Sequence, residues 1–432
     1  EQAGTDAQTR FANAIAQSYF RRALALLGEA DPGRSLDLLS RVERVADVLG
    51  DRGTQGAVHA EIAALLERHP DDARRAELLF SKALLADRRG DAAASAPLAR
   101  QAFELAERCG AAQWAALAQG QLAWLNIARQ DYAGASRHIE AGLPWAARIE
   151  GDKLRAETEA KLLTLSGMVA MLLSRLDEAR RTLQAVLSRG ELTGSPRLQL
   201  GALHNLAVVA FFWGRWDDGM AWAERMRASA DAVGSVRDVA LAQRRLAQGA
   251  QAVGDPAAAL RWCERSLVID RAIGDRRGEV FTLLLLGDLL LERDDAQTAL
   301  QCCTSALRLL QTLEQPLEAC DLMAIVALCK VRLKQPVQAM DELNATLDRL
   351  PRELAECAPG ETIGLRWHCH QVLAALGDDR AGPLLEQLHA DVRATAAERT
   401  EAADRKRLIQ AIPIFRDIVA AWTQRGGQAG TQ

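Results

Sequence analysis

The chain has 432 residues, a formal net charge of −4 and eight cysteines at irregular spacings. Its strong helix formers and its lack of long Val/Ile/Thr alternations predict an all-α protein. The charge argues against a nucleic-acid-binding surface, and no apolar run is long enough to span a bilayer. Irregularly spaced thiols favour a reducing compartment, so we expect a cytoplasmic protein with no direct nucleic-acid or membrane partner.

A tight-turn signal recurs along the chain with a period of about forty residues. Successive turns are spaced by 40, 44, 40, 40, 40, 40 and 43 residues. They lie at Gly90-Asp91, Gln130-Asp131, Ser174-Arg175, Gly214-Arg215, Gly254-Asp255, Asp294-Asp295, Lys334-Gln335 and Gly377-Asp378. Further breaks fall between them at Gly110, Gly151, Gly194, Gly234 and Gly274. Two breaks in each period predict a solenoid of helix-turn-helix repeats.

Small residues recur inside the predicted helices on the same period. One set lies in the first helix of each repeat, at Ala123, Gly167, Ala207, Ala247, Gly287 and Ala327. A second set follows twelve residues later, at Ala135, Ala179, Gly219, Ala259, Ala299 and Ala339. Small side chains at both points let paired helices approach closely. We therefore expect both sets to be buried between the helices of each repeat.

This pattern resembles the tetratricopeptide repeat, and Leu286-Gly287 with Ala299 matches its leucine-glycine and alanine positions directly. The period is nearer 40 than the usual length of about 34 residues, and the closing proline is missing. Longer repeats of this kind resemble the repeat regions of bacterial signal-transduction ATPases, maltose-type transcription activators and multidomain nucleotide cyclases. The resemblance implies a right-handed superhelical solenoid of about eight to nine repeats.

The two ends of the chain also resemble those regulators. Residues 34–91 resemble the segment that opens their repeat region, and residues 365–378 and 408–422 resemble their last repeat and terminal element. No Gly-x-x-x-x-Gly-Lys-Ser/Thr motif occurs, and residue 1 is Glu, so we expect a portion excised from a larger protein. We expect atypical helices over 1–70 with an extra helix at about 54–69, the array over 71–380, capping helices over 381–425 and a flexible tail over 426–432.

Reactive side chains are densest at His368-Cys369-His370. Residues two apart on a helix point in different directions, so the two histidines do not share a metal ion, and we expect Cys369 to pack inward between them. Cys263 and Cys303 occupy equivalent inward positions of second helices, where thiols serve as small hydrophobic groups. No nucleophile motif or zinc spacing is present. We therefore expect no enzymatic activity, metal or cofactor.

The first helices of tetratricopeptide arrays line the concave, ligand-binding face, and the resemblance implies a partly aromatic and Met-containing surface here. Carried over residue by residue, the candidate binding residues are Trp124, Thr164, Met168, His204, Phe211, Arg244, Gln248, Gln251 and Asp288. Such a surface suits a peptide tail, an amphipathic helix or a small ligand. The alternative is structural packing for Phe211 and ordinary solvent exposure for the polar members.

Repeat arrays of this kind present surfaces rather than perform chemistry. We therefore predict a protein-interaction or sensor module that binds a partner peptide or domain and regulates an attached ATPase or output domain. The first alternative is a small-molecule sensor, for which His204, Arg244 and Gln248 are the candidate polar groups. The second alternative is a structural scaffold or oligomerisation module that binds no ligand.

Overall fold

The computed structural model describes residues 1–9, 13–28, 30–192, 194–310, 316–353, 362–397 and 402–426. The regular elements within these ranges are 22 α-helices. The predicted all-α helix-turn-helix architecture is confirmed. The helices are α1 (Gln2–Thr9), α2 (Asn13–Leu27), α3 (Pro32–Leu49), α4 (Arg52–Arg68), α5 (Asp72–Arg88), α6 (Ala92–Cys109), α7 (Ala112–Ala128), α8 (Tyr132–Ala147), α9 (Asp152–Leu172), α10 (Leu176–Leu192), α11 (Pro196–Phe212), α12 (Trp216–Ala232), α13 (Val236–Ala252), α14 (Pro256–Ala272), α15 (Arg276–Glu292), α16 (Ala296–Leu310), α17 (Pro316–Arg332), α18 (Pro336–Glu353), α19 (Ile363–Leu376), α20 (Ala381–Ala397), α21 (Ala402–Ala411) and α22 (Pro413–Gln424).

The eight predicted turns share one backbone conformation. The first residue of each has a positive φ, from 59° at Lys334 to 84° at Gly254. The four non-glycine residues with positive φ, among the described residues, all occupy this repeat position: Gln130, Ser174, Asp294 and Lys334. Where an Asp follows, its carboxylate caps the next helix, as Asp91 does by accepting from the Ala94 N–H at 2.8 Å. The turn geometry is therefore kept even where glycine is not.

The regular period begins earlier than the sequence predicted. Gly50 has a φ of 71° and Asp51 accepts from the Thr54 N–H at 3.0 Å. This turn lies 40 residues before Gly90-Asp91 and joins α3 to α4 in the same way. The helix expected at about 54–69 as an insertion is α4, which is the second helix of a regular pair. The sequence pattern did not reveal this pair because the preceding turn signal, Asp31-Pro32-Gly33, is half a period out of step with the later turns.

Both sets of small residues are buried, as predicted. Ala123, Ala207, Ala247 and Ala327 of the first set and Ala135, Ala179, Ala259, Ala299 and Ala339 of the second have no exposed surface. A Cβ atom added at Gly167 would lie 2.8 Å from Leu183 Cγ, and one added at Gly287 would collide with Cys303 Sγ. The paired helices therefore approach too closely at these two points for any side chain.

The chain divides into two compact units. Unit 1 comprises Glu1–Val209, Ala221–Leu246 and Glu264–Glu279, and unit 2 comprises Ala210–Met220, Ala247–Cys263 and Val280–Gln432. In unit 2, α20 to α22 pack around a cluster that includes Leu388, Val392, Phe415 and Ile418. The expected tail lies outside the described residues after Gly426. None of the described helices is both long and apolar enough to cross a membrane.

Candidate interaction faces on the first helices

The nine candidate residues all lie on first helices, which are the odd-numbered helices α5 to α19. Each stands at a fixed offset from the buried small residue of its helix. Trp124, Met168, Gln248 and Asp288 follow it directly; Thr164, His204 and Arg244 precede it by three; Phe211 and Gln251 follow it by four. The residues that follow it directly are half-buried, whereas the small residue itself is fully buried.

In unit 1, Trp124 is held in a polar contact between three helices. Its indole Nε1–H on α7 donates to Asp87 Oδ2 on α5 at 3.1 Å. The Arg277 guanidinium of α15 lies 5.6 Å from the centre of its ring. Arg277 also pairs with Asp87 at 3.8 Å. The sequence prediction placed Trp124 on a surface and missed both of these partners.

Thr164 and Met168 lie on α9 and serve local packing. The Thr164 hydroxyl donates to the Ala160 carbonyl oxygen at 2.7 Å. A Cβ atom at Gly201 of α11 would lie 3.1 Å from Thr164 Cγ2, so the two helices are close at this point. Met168 is half-buried against a core cluster that includes Leu162 and Val169. One side of Met168 therefore packs inside the unit and the other remains accessible.

His204 of α11 is a half-buried, neutral imidazole beside two guanidiniums. Burial, followed by the charges of Arg245 and Arg244, holds its pKa well below the usual value. Its Nδ1 atom is buried and has no hydrogen-bond partner among the described residues. A histidine in this state accepts or donates a hydrogen bond without carrying charge.

Arg244 is not solvent-exposed, in contrast to the alternative considered from the sequence. It is buried, and its Nη1 atom lies 2.7 Å from Asp270 Oδ2 and 3.2 Å from the Ser266 hydroxyl. Asp270 and Ser266 are on α14, the partner helix in the same repeat, and both have no exposed surface. Because a buried guanidinium needs a counter-charge, this pair ties α13 to α14.

A group of charged side chains in unit 1 was not predicted as a site. We call it the ionic junction, and its members are Asp47, Arg52, Asp87, Arg88, Arg237, Asp275 and Arg277. Asp47 lies 3.0 Å from both Arg52 and Arg88, and Arg237 lies 3.3 Å from Asp275. Although burial raises it, Arg88, Arg52 and Arg237 together hold the pKa of Asp47 below its usual value. The junction joins α3, α4 and α5 to α13 and α15.

In unit 2, Phe211 and Gln251 have partners of their own. Phe211 is buried, its ring centre lies 5.1 Å from that of Trp216, and it packs over Gly219. Gln251 Nε2 donates to Glu292 Oε1 at 2.7 Å. Burial raises the pKa of Glu292 despite that hydrogen bond. Phe211 therefore fits the packing alternative, whereas Gln251 and the half-buried Gln248 remain partly accessible on α13.

Asp288 is linked to a histidine that the sequence analysis treated as structural. His368 Nε2 of α19 lies 3.1 Å from Asp288 Oδ1 of α15, and His368 Nδ1 lies 3.2 Å from Asp321 Oδ1 of α17. Burial lowers the pKa of His368, but the two carboxylates outweigh it and raise the value to about 10. The imidazolium thus bridges three successive first helices. Cys369 beside it is fully buried, as predicted.

The described thiols in the core are not activated. Burial raises the pKa of Cys329 and of Cys369 to about 12 and raises that of Cys303 further. A thiol must ionise to act as a nucleophile, so these three are inert at neutral pH. Among the described residues, no group of three or more His, Cys, Asp or Glu side chains is arranged to hold a metal ion. Cys357 lies outside those residues.

Comparison with known proteins supports the repeat architecture. The family model for the tetratricopeptide repeat matches residues 238–312. The structure of a Rap protein complexed with competence and sporulation factor is similar with a TM-score of 0.62, at 11% identity, over 84% of this chain and 98% of that one. A signal-transduction ATPase with a tetratricopeptide repeat sensor from Pyrococcus horikoshii is similar with a TM-score of 0.52, at 11% identity, over 88% of this chain and 56% of that one. No curated protein sequence matched.

Proposed function

We propose that this tetratricopeptide-type helical repeat protein is a regulatory interaction module that binds a partner peptide or domain on its first helices. One observation carries the proposal. In α7, α9, α11, α13 and α15 the small central residue is a buried Ala or Gly, whereas the half-buried residue after it changes from Trp124 to Met168, Val208, Gln248 and Asp288. Packing between the helices requires a small residue at the buried position but does not dictate the residue type at the half-buried position. The half-buried position can therefore vary to suit a binding partner.

The accessible chemistry differs between the units. In unit 1, Met168 offers a flexible, polarisable side chain, which suits apolar peptide anchors. In unit 2, Gln248 and Gln251 offer amides on one helix and Asp288 offers a carboxylate on the next. Amides and carboxylates satisfy the backbone and basic groups of a bound peptide. A partner with an apolar anchor and polar flanks fits these faces best.

The two similar structures are consistent with this assignment. The Rap structure is of a complex with competence and sporulation factor, and the Pyrococcus protein carries its tetratricopeptide repeat as a sensor. We propose that this chain likewise transmits a binding event to an attached ATPase or output domain, through small rotations between neighbouring repeats. The free cysteines among the described residues support a cytoplasmic location for it.

The test is gentle capture of the tagged chain from lysate of its source organism, followed by native mass spectrometry. We expect a retained protein or peptide, and we expect Met168→Glu and Gln248→Glu each to reduce its retention at least tenfold. The matched control is Ala185→Glu, which adds the same charge on an exposed site of the second helix α10. Equal retention by all three variants would contradict binding on the first helices.

His204 supports a second candidate function, the sensing of a small effector. A buried imidazole nitrogen without a partner, beside Arg244, suits one hydrogen bond from a compact polar ligand. In the same experiment this function predicts a retained mass of a few hundred daltons that His204→Phe abolishes. A chain that retains nothing and self-associates would instead support the scaffold alternative.

A further inference from the structure

The ionic junction of unit 1 brings together two rows of repeat-equivalent charges. Asp47 and Asp87 are 40 residues apart and lie in the last turns of α3 and α5. Arg237 and Arg277 are also 40 residues apart and lie in the first turns of α13 and α15. Arg277 pairs with Asp87, and Arg237 pairs with Asp275 while the charges of Asp47 and Asp87 also act on it. Two consecutive repeats thus present an acid row to an arginine row from two later repeats.

The helices themselves do not favour these charges. An acid near a helix C-terminus and a cation near a helix N-terminus are both unfavourable with respect to the helix dipole. The two acids lie near helix C-termini and the two arginines lie near helix N-termini, so the dipole of each helix disfavours the charge at its end. Their placement is therefore explained by what lies opposite them and not by capping.

The junction is also incompletely satisfied. Asp87 Oδ1, Arg88 Nε and Arg277 Nε are buried atoms for which the described residues supply no hydrogen bond. The Arg277–Asp87 pair is long, at 3.8 Å, while Trp124 bonds the other oxygen of Asp87. Buried ion pairs with unmet hydrogen bonds recover little of their desolvation cost. A competitor that satisfies the arginines better can therefore replace the internal acids.

Close contacts accompany the charges at the same interface. A Cβ atom at Gly50 would lie 2.7 Å from Ile273 Cγ2, and the Asn13 side chain donates to the Val233 carbonyl oxygen at 3.0 Å. These contacts align the two sets of helices, so the charges meet in register. These contacts lie at helix ends and turns, which are the parts of a repeat that open first.

We propose that the arginine row of α13 and α15 is an acid-binding surface whose internal counter-charges, Asp47 and Asp87, are displaced by an acidic segment of the partner. This inference rests on the proposed function. It adds that the partner segment is acidic and that it competes with Asp47 and Asp87 for the arginines. Carboxylates spaced like the two internal acids would pair with Arg237 and Arg277 and release α3 and α5. An acidic peptide is favoured over a nucleic acid because carboxylates already face both arginines.

The internal contact is tested without any ligand by hydrogen exchange of the full chain. The Asp47→Asn/Asp87→Asn variant keeps the shape of both side chains and removes both charges. We expect exchange in α13 and α15 to rise at least tenfold. The matched control, Asp294→Asn, breaks the exposed pair with Arg332 in unit 2 and should leave exchange in α13 and α15 unchanged.

If the double variant fails to fold, the wild-type chain is measured at two salt concentrations instead. Hydrogen exchange in its α13 and α15 should be faster in 0.5 M than in 0.05 M NaCl, because salt screens ion pairs.

The binding surface is tested with fluorescein-labelled peptides of equal length that are rich in Glu, Gln or Lys, and with oligo-dT. We expect the double Asp→Asn variant to bind the Glu peptide at least tenfold more tightly than the wild type does. We expect Arg237→Gln/Arg277→Gln to lose that binding. Equal affinity for the Glu and Gln peptides, tighter binding of oligo-dT than of the Glu peptide, or unchanged exchange in the double variant would overturn the proposal.

The lysate capture separates this inference from the proposed function. A partner retained equally by the wild type and by Arg237→Gln/Arg277→Gln would leave the interaction module standing and overturn the acid-binding surface. Loss of the natural partner in that variant, with retention in Asp294→Asn, would support both.

Discussion

His368 and Asp288 lie two repeats apart, on α19 and α15, and their Nε2 and Oδ1 atoms are separated by 3.1 Å. Asp321 of the repeat between them accepts from the other imidazole nitrogen. One cation therefore connects three consecutive first helices in unit 2. In a repeat array, where each repeat otherwise depends on its neighbours, this bridge couples repeats that are not adjacent.

The stability of unit 2 should fall in mildly alkaline solution because of this bridge. The pKa of His368 is raised to about 10, above the value of about 6.5 expected in the unfolded chain. Its stabilisation is therefore complete below pH 6.5 and is lost as the pH rises towards 10, by up to about 1.4 kcal/mol per pH unit. Urea unfolding at pH 7, 8 and 9 measures this slope. His368→Asn should flatten it, whereas His370→Asn should keep it, because burial lowers the pKa of His370. An identical slope in His368→Asn would show that the bridge is not the cause.

Glycine at the turn position should stabilise the repeats that lack it. Lys334 has a φ of 59°, a conformation that costs an L-residue about 1 to 2 kcal/mol and costs glycine little. Glycine also has more conformational entropy in the unfolded chain, which offsets part of this gain. We therefore expect Lys334→Gly to raise the free energy of unfolding by about 0.5 kcal/mol. The reverse change, Gly254→Ala, should destabilise by about 1 kcal/mol, since its φ is 84° and an added Cβ meets no atom within 4 Å. Thermal unfolding compares the two, and a destabilised Lys334→Gly would contradict the backbone argument.

The contact between Gly287 and Cys303 should show strong coupling. A methyl group at Gly287 collides with the buried Cys303 Sγ, so Gly287→Ala should destabilise by about 2 kcal/mol. Cys303→Ala alone should cost about 1 kcal/mol through the cavity it leaves. In the double variant the added methyl occupies the vacated space, and we expect less destabilisation than in Gly287→Ala alone. Additive effects in this double-mutant cycle would mean that the two positions do not contact each other.

Trp216 should hold the C-terminal helices in place. Its Nε1–H donates to the Ala411 carbonyl oxygen at 2.7 Å, and a Cβ atom at Gly214 would lie 2.6 Å from that of Ala411. Trp216→Phe keeps an aromatic ring against Phe211 and removes the donor, at a cost of about 1 kcal/mol. Hydrogen exchange should rise in α21 and α22. Trp222→Phe, whose ring lies under Arg225, is the control and should leave their exchange unchanged. Unaltered protection in Trp216→Phe would rule out this anchor.

Local features of the fold could be predicted from the sequence, and distant contacts could not. The turns and the small residues follow from short-range rules, since a left-handed backbone or a close helix approach restricts the residue type at one position. The contacts of Asn13 with Val233 and of Trp216 with Ala411 join residues 220 and 195 positions apart. Their geometry depends on small rotations summed over several repeats, for which no local pattern is diagnostic.

The environment of the candidate residues could not be predicted from the sequence. Trp124, Met168 and Gln248, which directly follow the buried small residue, are half-buried. Arg244 is buried instead, because Asp270, 26 residues away on α14, neutralises it. The indole of Trp124 is likewise engaged by Asp87. In each case a carboxylate on another helix engages the side chain, and the residue type at one position does not reveal that partner.

The most direct measurement is hydrogen exchange of the full chain with and without the partner captured from the lysate. Binding on the first helices predicts slower exchange in α7 and α9 of unit 1 or in α13 and α15, with α8, α10, α14 and α16 unchanged. Slower exchange confined to the second helices, or no change anywhere in the array, would contradict the proposed function.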